Sequence, residues 1–240
     1  MSLNMFGART TTVPPLHPRH CCDRYWCWDS SRRGDFKISP RSCAGAIFYV
    51  IVLDDPGHPT VGINEWVVGV PKKSGLMASC KTNNYLLNSL TAMESQDKGG
   101  LEGIWVNDAG NVAETSRGNV VIVDQAGVLR SPPYDGTILA GTTVLRAFAV
   151  APQLVKDGLI TSFGFSAIHA SELVTAKEVL ILGGGGLTSV VTVNGIAIGG
   201  NETEGDPKPG PVYRVLKEML AADMEEATFT DAVPYEKYEG

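Results

Sequence analysis

Residues 178–191, EVLILGGGGLTSVV, constrain the fold more than any other stretch. An apolar run of strand length meets four consecutive glycines, and the residues beyond them keep a β pattern instead of opening a helix. Glycines in such a turn let backbone amides approach an anion closely, and they accept left-handed backbone without strain. A dinucleotide fingerprint would need G-x-G-x-x-G running into a helix N-terminus. Gly183 and Gly185 fit that pattern, but Thr188 stands at the third glycine position and TSVVTVNG continues as strand. No GK[ST] follows, which excludes a P-loop. A nest for a single phosphate stays open.

The surrounding pattern is mixed. AIFYVIVL (46–53) and INEWVVGVP (63–71) read as strands, and CKTNNYLLNSLTAMESQDKGG as an amphipathic helix with Leu86, Leu90 and Met93 on its buried face. GIWVNDAGNVAET and NVVIVDQAGVLRSPP each read strand, turn, strand. TVLRAFAVAPQLVKDG reads as a helix open to a break at Pro152, and SELVTAKEV as a short helix. TSVVTVNGIAIGG is a hairpin turning on Asn194-Gly195, and GPVYRVLKEMLAADMEE is a closing helix with Val212, Val215, Leu216, Met219 and Leu220 on one face. These elements predict an α/β fold, mixed and built largely from antiparallel hairpins with flanking helices.

Composition narrows the function. The 240 residues are 43% hydrophobic and 19% charged, as in an ordinary soluble globular protein. The net charge of −6 argues against a nucleic-acid partner. AGAIFYVIVL (44–53) is half the roughly 20 apolar residues that a membrane span needs. Five cysteines, three of them before residue 30, do not describe a disulfide framework and fit a reducing compartment. HPRHCCDRYWC sets His17 and His20 beside Cys21, Cys22 and Cys27, yet adjacent cysteines chelate poorly and no second knuckle follows, so no metal site is expected. Residues 1–33 carry no apolar period and read as an irregular leader.

A second anion candidate lies in ILAGTT (138–143), directly before a helix pattern. The amides of Thr142 and Thr143 would be orphan donors at a helix N-terminus, although either threonine could instead serve only as a cap.

The stretch NVAETSRGNVVIV (111–123) carries a resemblance. Glu114, Ser116 and Asn119 match in type and spacing the signature of class IV aminotransferases, the fold-type IV enzymes that use pyridoxal 5'-phosphate. CKTNNYLLN resembles the lysine segment of the D-amino-acid aminotransferase-like branch. VLRSPPYDGTILAGTT resembles the phosphate-turn segment, and VNGIAIGG with GDPKPGPVYRVL resembles the closing hairpin and helix. RGDFKISP and FYVIVLDD resemble the end of the family's small domain. The likeness runs over roughly residues 34–235.

It implies roles for particular residues. Lys81 would be the Schiff-base amine and then the acid/base of the proton shift, and Glu114 would face the pyridine nitrogen. Thr142, Thr143, Gly184 and Gly185 would hold the phosphate, with Tyr85 and Asn119 positioning the ring. The family's small-domain arginine segment has no counterpart, since Arg19 and Arg24 lie in sequence unlike it, and Ser131 stands where threonine is usual. The expected organisation is a leader over 1–33, a remnant of the small domain over 34–70 and a cofactor-binding large domain over 71–240. The implied activity is transfer of an amino group from a small D-amino or branched-chain amino acid to a 2-oxo acid, by a homodimer of the cytoplasm or plastid. The alternatives are a lyase of the aminodeoxychorismate lyase type on the same scaffold, and an inactive remnant that binds little.

Overall fold

The computed structural model describes residues 58–71, 73, 75–199 and 208–226, with the backbone of two short strands before them. Those two, β1 (Cys27–Trp28) and β2 (Ile47–Phe48), pair antiparallel within a first unit, Met1–Gly57. The leader, the cysteine-rich stretch, most of the expected strand over 46–53 and residues 200–207 lie outside the described residues.

The second unit, His58–Gly240, is organised by a large sheet. Its central strands are β5 (Val112–Thr115), β6 (Asn119–Val123), β9 (Glu178–Gly183) and β10 (Gly186–Val193). They neighbour one another in the order β10-β9-β6-β5, all antiparallel, with β4 (Ile104–Val106) outside β5 and β11 (Ile196–Ala197) outside β10. The runs Val120–Val123 of β6 and Val179–Leu182 of β9 are continuously apolar because both faces of the sheet are covered there. Val121, Val123, Leu180 and Leu182 point to one core, while Val120, Ile122, Val179 and Ile181 point to the other. The period-2 alternation of strand side chains thus splits one apolar sequence between two cores.

Helices α3 (Thr142–Lys156) and α4 (Pro211–Met224) cover the first face. Val144, Ala147, Ala151, Leu154, Val212, Leu216 and Leu220 are all buried there. The expected break at Pro152 does not occur: α3 runs through it, with Ala151 and Leu154 anchoring both sides of the proline in the core while Pro152 itself faces solvent. Buried Glu178 accepts the Val212 and Tyr213 amides at 2.8 and 2.9 Å, satisfying two orphan donors at the start of α4.

Three further expectations are corrected. SELVTAKEV forms only a 3-10 turn over Ala170–Glu172, closed by Glu172 and His169 at its head. Two parallel pairings interrupt the antiparallel pattern: β3 (Ile63–Glu65) on β10, and β8 (Ser162–Phe165), unforeseen in the sequence, on β7 (Val128–Ser131). The third concerns α2 (Leu86–Gln96), which follows a short helix α1 (Gly75–Ser79). Its apolar stripe is turned outward, with Leu86, Leu90 and Met93 at 65%, 41% and 56% exposure, while Asn88, Thr91 and Ser95 face inward. Polar partners on the body explain the inversion: Asn88 Nδ2 donates to the Ser116 carbonyl at 2.5 Å, and Ser95 Oγ donates to buried Glu65 at 3.0 Å.

Candidate active site

The β5–β6 hairpin sets the site. A tight four-residue connection, with the Thr115 amide donating to the Gly118 carbonyl and the Gly118 amide to Thr115 Oγ1, makes Glu114 and Asn119 direct cross-strand partners. Directly opposed residues on neighbouring strands share a face. Here the pair grips the backbone of one residue from both sides: the Leu139 amide donates to Glu114 Oε2 at 3.1 Å, and Asn119 Nδ2 donates to the Leu139 carbonyl at 2.9 Å. Both side chains are buried, so Glu114 is no solvated strand-end carboxylate.

That grip fixes the entry to α3. A Cβ on Gly141 would overlap Asn119 Oδ1, so only glycine fits beside the carboxamide. Tyr134, whose phenol burial pushes up and keeps protonated, donates to the Gly141 carbonyl at 3.3 Å. The first intrahelical bond runs from the Leu145 amide to Gly141, which leaves the Thr142, Thr143 and Val144 amides as orphan donors. No side chain caps this helix end. Thr143 does not act as the cap; its Oγ1 accepts the Gly185 amide at 3.2 Å. The two stretches that sequence alone marked as anion candidates therefore meet. Gly184 and Gly185, at φ 57° and 79°, form the two-residue turn between β9 and β10, a left-handed pair that a side chain would strain.

Lys81 approaches from the other side, ahead of α2. Its Nζ lies 3.2 Å from the hydroxyl of Tyr85, the residue that opens the helix. Lys81, Tyr85, Asn88, Glu114, Asn119 and Leu139 line one pocket together with Lys73. Glu114 Oε1 is buried there without a hydrogen-bond donor, although Lys73 Nζ lies 2.8 Å away with angles outside those of a hydrogen bond. Residue types alone missed three members of this pocket: Lys73, Asn88, which ties α2 to the signature hairpin, and the backbone of Leu139. The apolar stripe of α2 draws attention away from Asn88, and nothing in VPKKSG marks Lys73.

A buried acceptor facing a pocket, an amine beside a phenol, and orphan amides next to a left-handed glycine turn suit a ring with a protonated nitrogen, an aldehyde and one phosphate. The amino-transferase class IV family matches residues 30–193, and the chain belongs to that family. It is similar to the chloroplastic D-amino-acid transaminase of Arabidopsis thaliana, at 30% identity over 202 residues, 84% of this chain and 52% of that protein. Among solved structures it resembles the Escherichia coli branched-chain amino acid aminotransferase with a TM-score of 0.61 and 26% identity, covering 77% of this chain and 59% of the other. It also resembles the branched-chain aminotransferase of the archaeon Thermoproteus uzoniensis, solved with norvaline, at a TM-score of 0.58 and 25% identity, covering 72% and 55%. The chain thus spans a little over half the length of these relatives. Among the described residues no helix is long and apolar enough to cross a membrane.

Proposed function

We propose that this chain binds pyridoxal 5'-phosphate over residues 71–240 and acts as a transaminase on small amino acids. The observation that carries the reading is Glu114, a buried carboxylate in the pocket that Lys81 lines, with Oε2 held by the Leu139 amide and Oε1 flanked by the Lys73 ammonium. A carboxylate held in such a pocket beside an amine suits a protonated ring nitrogen. When bound, the cofactor supplies an electron sink that stabilises charge on the substrate's α-carbon.

The chain's own groups do the rest. Lys81 would hold the cofactor through its aldehyde and, once the substrate's amine has displaced it as a free amine, would carry the proton to and from the substrate's α-carbon. The Tyr85 hydroxyl, 3.2 Å from Nζ, orients that amine. Glu114, held at Oε2 by the Leu139 amide, would keep the ring nitrogen protonated, and Asn119 holds the Leu139 carbonyl in register. The Thr142 and Thr143 amides would bind the phosphate at the N-terminus of α3, beside the Gly184–Gly185 turn that the Gly185 amide ties to Thr143.

The D-amino-acid and branched-chain relatives together support a small amino acid as donor and a 2-oxo acid as acceptor. The outward stripe of Leu86, Leu90 and Met93 supports a homodimer, because a second copy would cover it. The plastid is the compartment that the Arabidopsis relative supports.

Paired assays test the activity. Purified protein loaded with cofactor is offered D-alanine or L-leucine with 2-oxoglutarate, and amino-group transfer is followed by chiral chromatography. Transfer that requires the acceptor supports the reading. Pyruvate released from an aminodeoxychorismate-type substrate without an acceptor would assign the chain to the lyases instead. No turnover of either kind would leave an inactive binding domain.

A further inference from the structure

We propose that Lys73 is the resident counter-ion of Glu114, a cation that stands in for the ring nitrogen while the pocket is empty and competes with it when the cofactor enters. The inference rests on the cofactor reading above and deepens it. Lys73 Nζ lies 2.8 Å from Glu114 Oε1, and the two side chains are only 14% and 7% exposed. The pair sits away from bulk screening, where a carboxylate without a nearby cation is costly. Behind it the Lys73 ammonium lies 5.4 Å from the ring centroid of Trp105, which is itself 1% exposed, so an aromatic face steadies the cation from the β4 side.

The geometry of the contact gives the inference its direction. Glu114 Oε2 is committed to the Leu139 amide. Oε1 is therefore the acceptor left for a ligand, and it is the oxygen that Lys73 flanks. Lys73 neutralises Oε1 at a 2.8 Å contact, and the oxygen is buried beneath it. A ring nitrogen arriving as N–H⁺ must share or displace that ammonium, because the charge of Oε1 is already taken up. Two cations on one carboxylate repel each other, so the ring is held less tightly than Glu114 alone would hold it. The pocket's two ammonium groups then serve opposite ends of the ring. Lys81, beside Tyr85, bonds the aldehyde, and Lys73, beside Trp105, balances the carboxylate. The arrangement keeps the empty protein folded and the cofactor exchangeable.

Four full-length proteins test this: the parent, Lys73→Met, Glu114→Gln and the double variant. The thermal midpoint of each is measured without cofactor, and the dissociation constant for pyridoxal 5'-phosphate is measured by titration. Lys73→Met lowers the cofactor-free midpoint, and the loss disappears when Glu114→Gln is also present. The same variant binds pyridoxal 5'-phosphate about tenfold more tightly, one charge contact's worth, and this gain also disappears in the Glu114→Gln background. A deaza analogue with C–H in place of the ring nitrogen shows no preference for Lys73→Met. Equal or weaker cofactor binding by Lys73→Met, or a gain that persists beside Glu114→Gln, overturns the role of Lys73 and leaves the cofactor reading standing. Uptake by none of the four proteins removes the cofactor reading, and the inference with it.

Discussion

Helices α3 and α2 each carry an apolar stripe, and they turn it in opposite directions relative to the body. α3 buries Val144, Ala147, Ala151 and Leu154 against the sheet and begins at the phosphate turn. α2 turns Leu86, Leu90 and Met93 to solvent and rests on Asn88 and Ser95, which hydrogen-bond the Ser116 carbonyl and Glu65. The first helix is held chiefly by apolar area, which is non-directional, and the second by a few directional bonds together with Leu87, which packs on Val68, Trp105, Ala113 and Ile138. The difference divides the site. Glu114, Asn119, Thr142 and Thr143 stand on the sheet and α3, whereas Lys81 and Tyr85 stand ahead of a helix whose outer face exposes Leu86, Leu90 and Met93.

Substitution should separate the two regions sharply. Leu154→Ala, at a fully buried position of α3, should cost about 2–5 kcal/mol in urea unfolding. A loss below about 1 kcal/mol would mean that α3 is not the core helix described. Gly141→Ala comes next, at about 1–3 kcal/mol, because the new methyl displaces the Asn119 carboxamide and with it the Leu139 peptide. That variant should also weaken cofactor binding, which fluorescence titration can follow. Leu90→Ser on α2 should leave stability within about 0.5 kcal/mol yet shift light-scattering mass toward the monomer. Lost stability with unchanged mass would contradict the outward stripe as a contact between copies.

The smallest effect concerns pH. Arg146 on α3 pairs with Asp223 on α4, Nε to Oδ2 at 2.7 Å, and its guanidinium holds the Asp223 carboxyl below the usual carboxylate range. A carboxylate with a lowered folded value adds stability above its unfolded value of 3.8 and loses it as pH falls through the folded one. The difference in melting temperature between parent and Asp223→Asn should therefore be full at neutral pH and close below pH 3.8, and added salt should shrink it.

Legibility in the sequence followed the same division. The sheet and α3 were readable because strand runs, the Asn194-Gly195 turn and the 3.6-residue period all reflect burial of apolar side chains. Asn194 and Gly195 do carry the positive φ values, 51° and 77°, that such a turn needs. The orientation of α2 was not readable, since an apolar stripe looks the same whether it meets the protein's own core or another surface. β8 was hidden by SFGF, too short and glycine-containing to stand out, and it pairs only because β7 lies alongside. Glu114, Asn119, Thr142, Thr143, Gly184 and Gly185 were legible through motif and turn chemistry. Their meeting was not, because it depends on the Gly185 amide reaching Thr143 and on both signature side chains gripping Leu139. Lys73 was invisible for the same reason: no local pattern links it to Glu114, far along the chain, although the two side chains touch.

The most direct measurement is the visible spectrum of the purified protein with added pyridoxal 5'-phosphate, taken beside Lys81→Ala and followed by borohydride reduction and peptide mapping. A cofactor band in the parent, absent from the variant and fixed by borohydride on the peptide that contains Lys81, is the predicted result. A band retained in Lys81→Ala, or no band in either protein, would contradict the account.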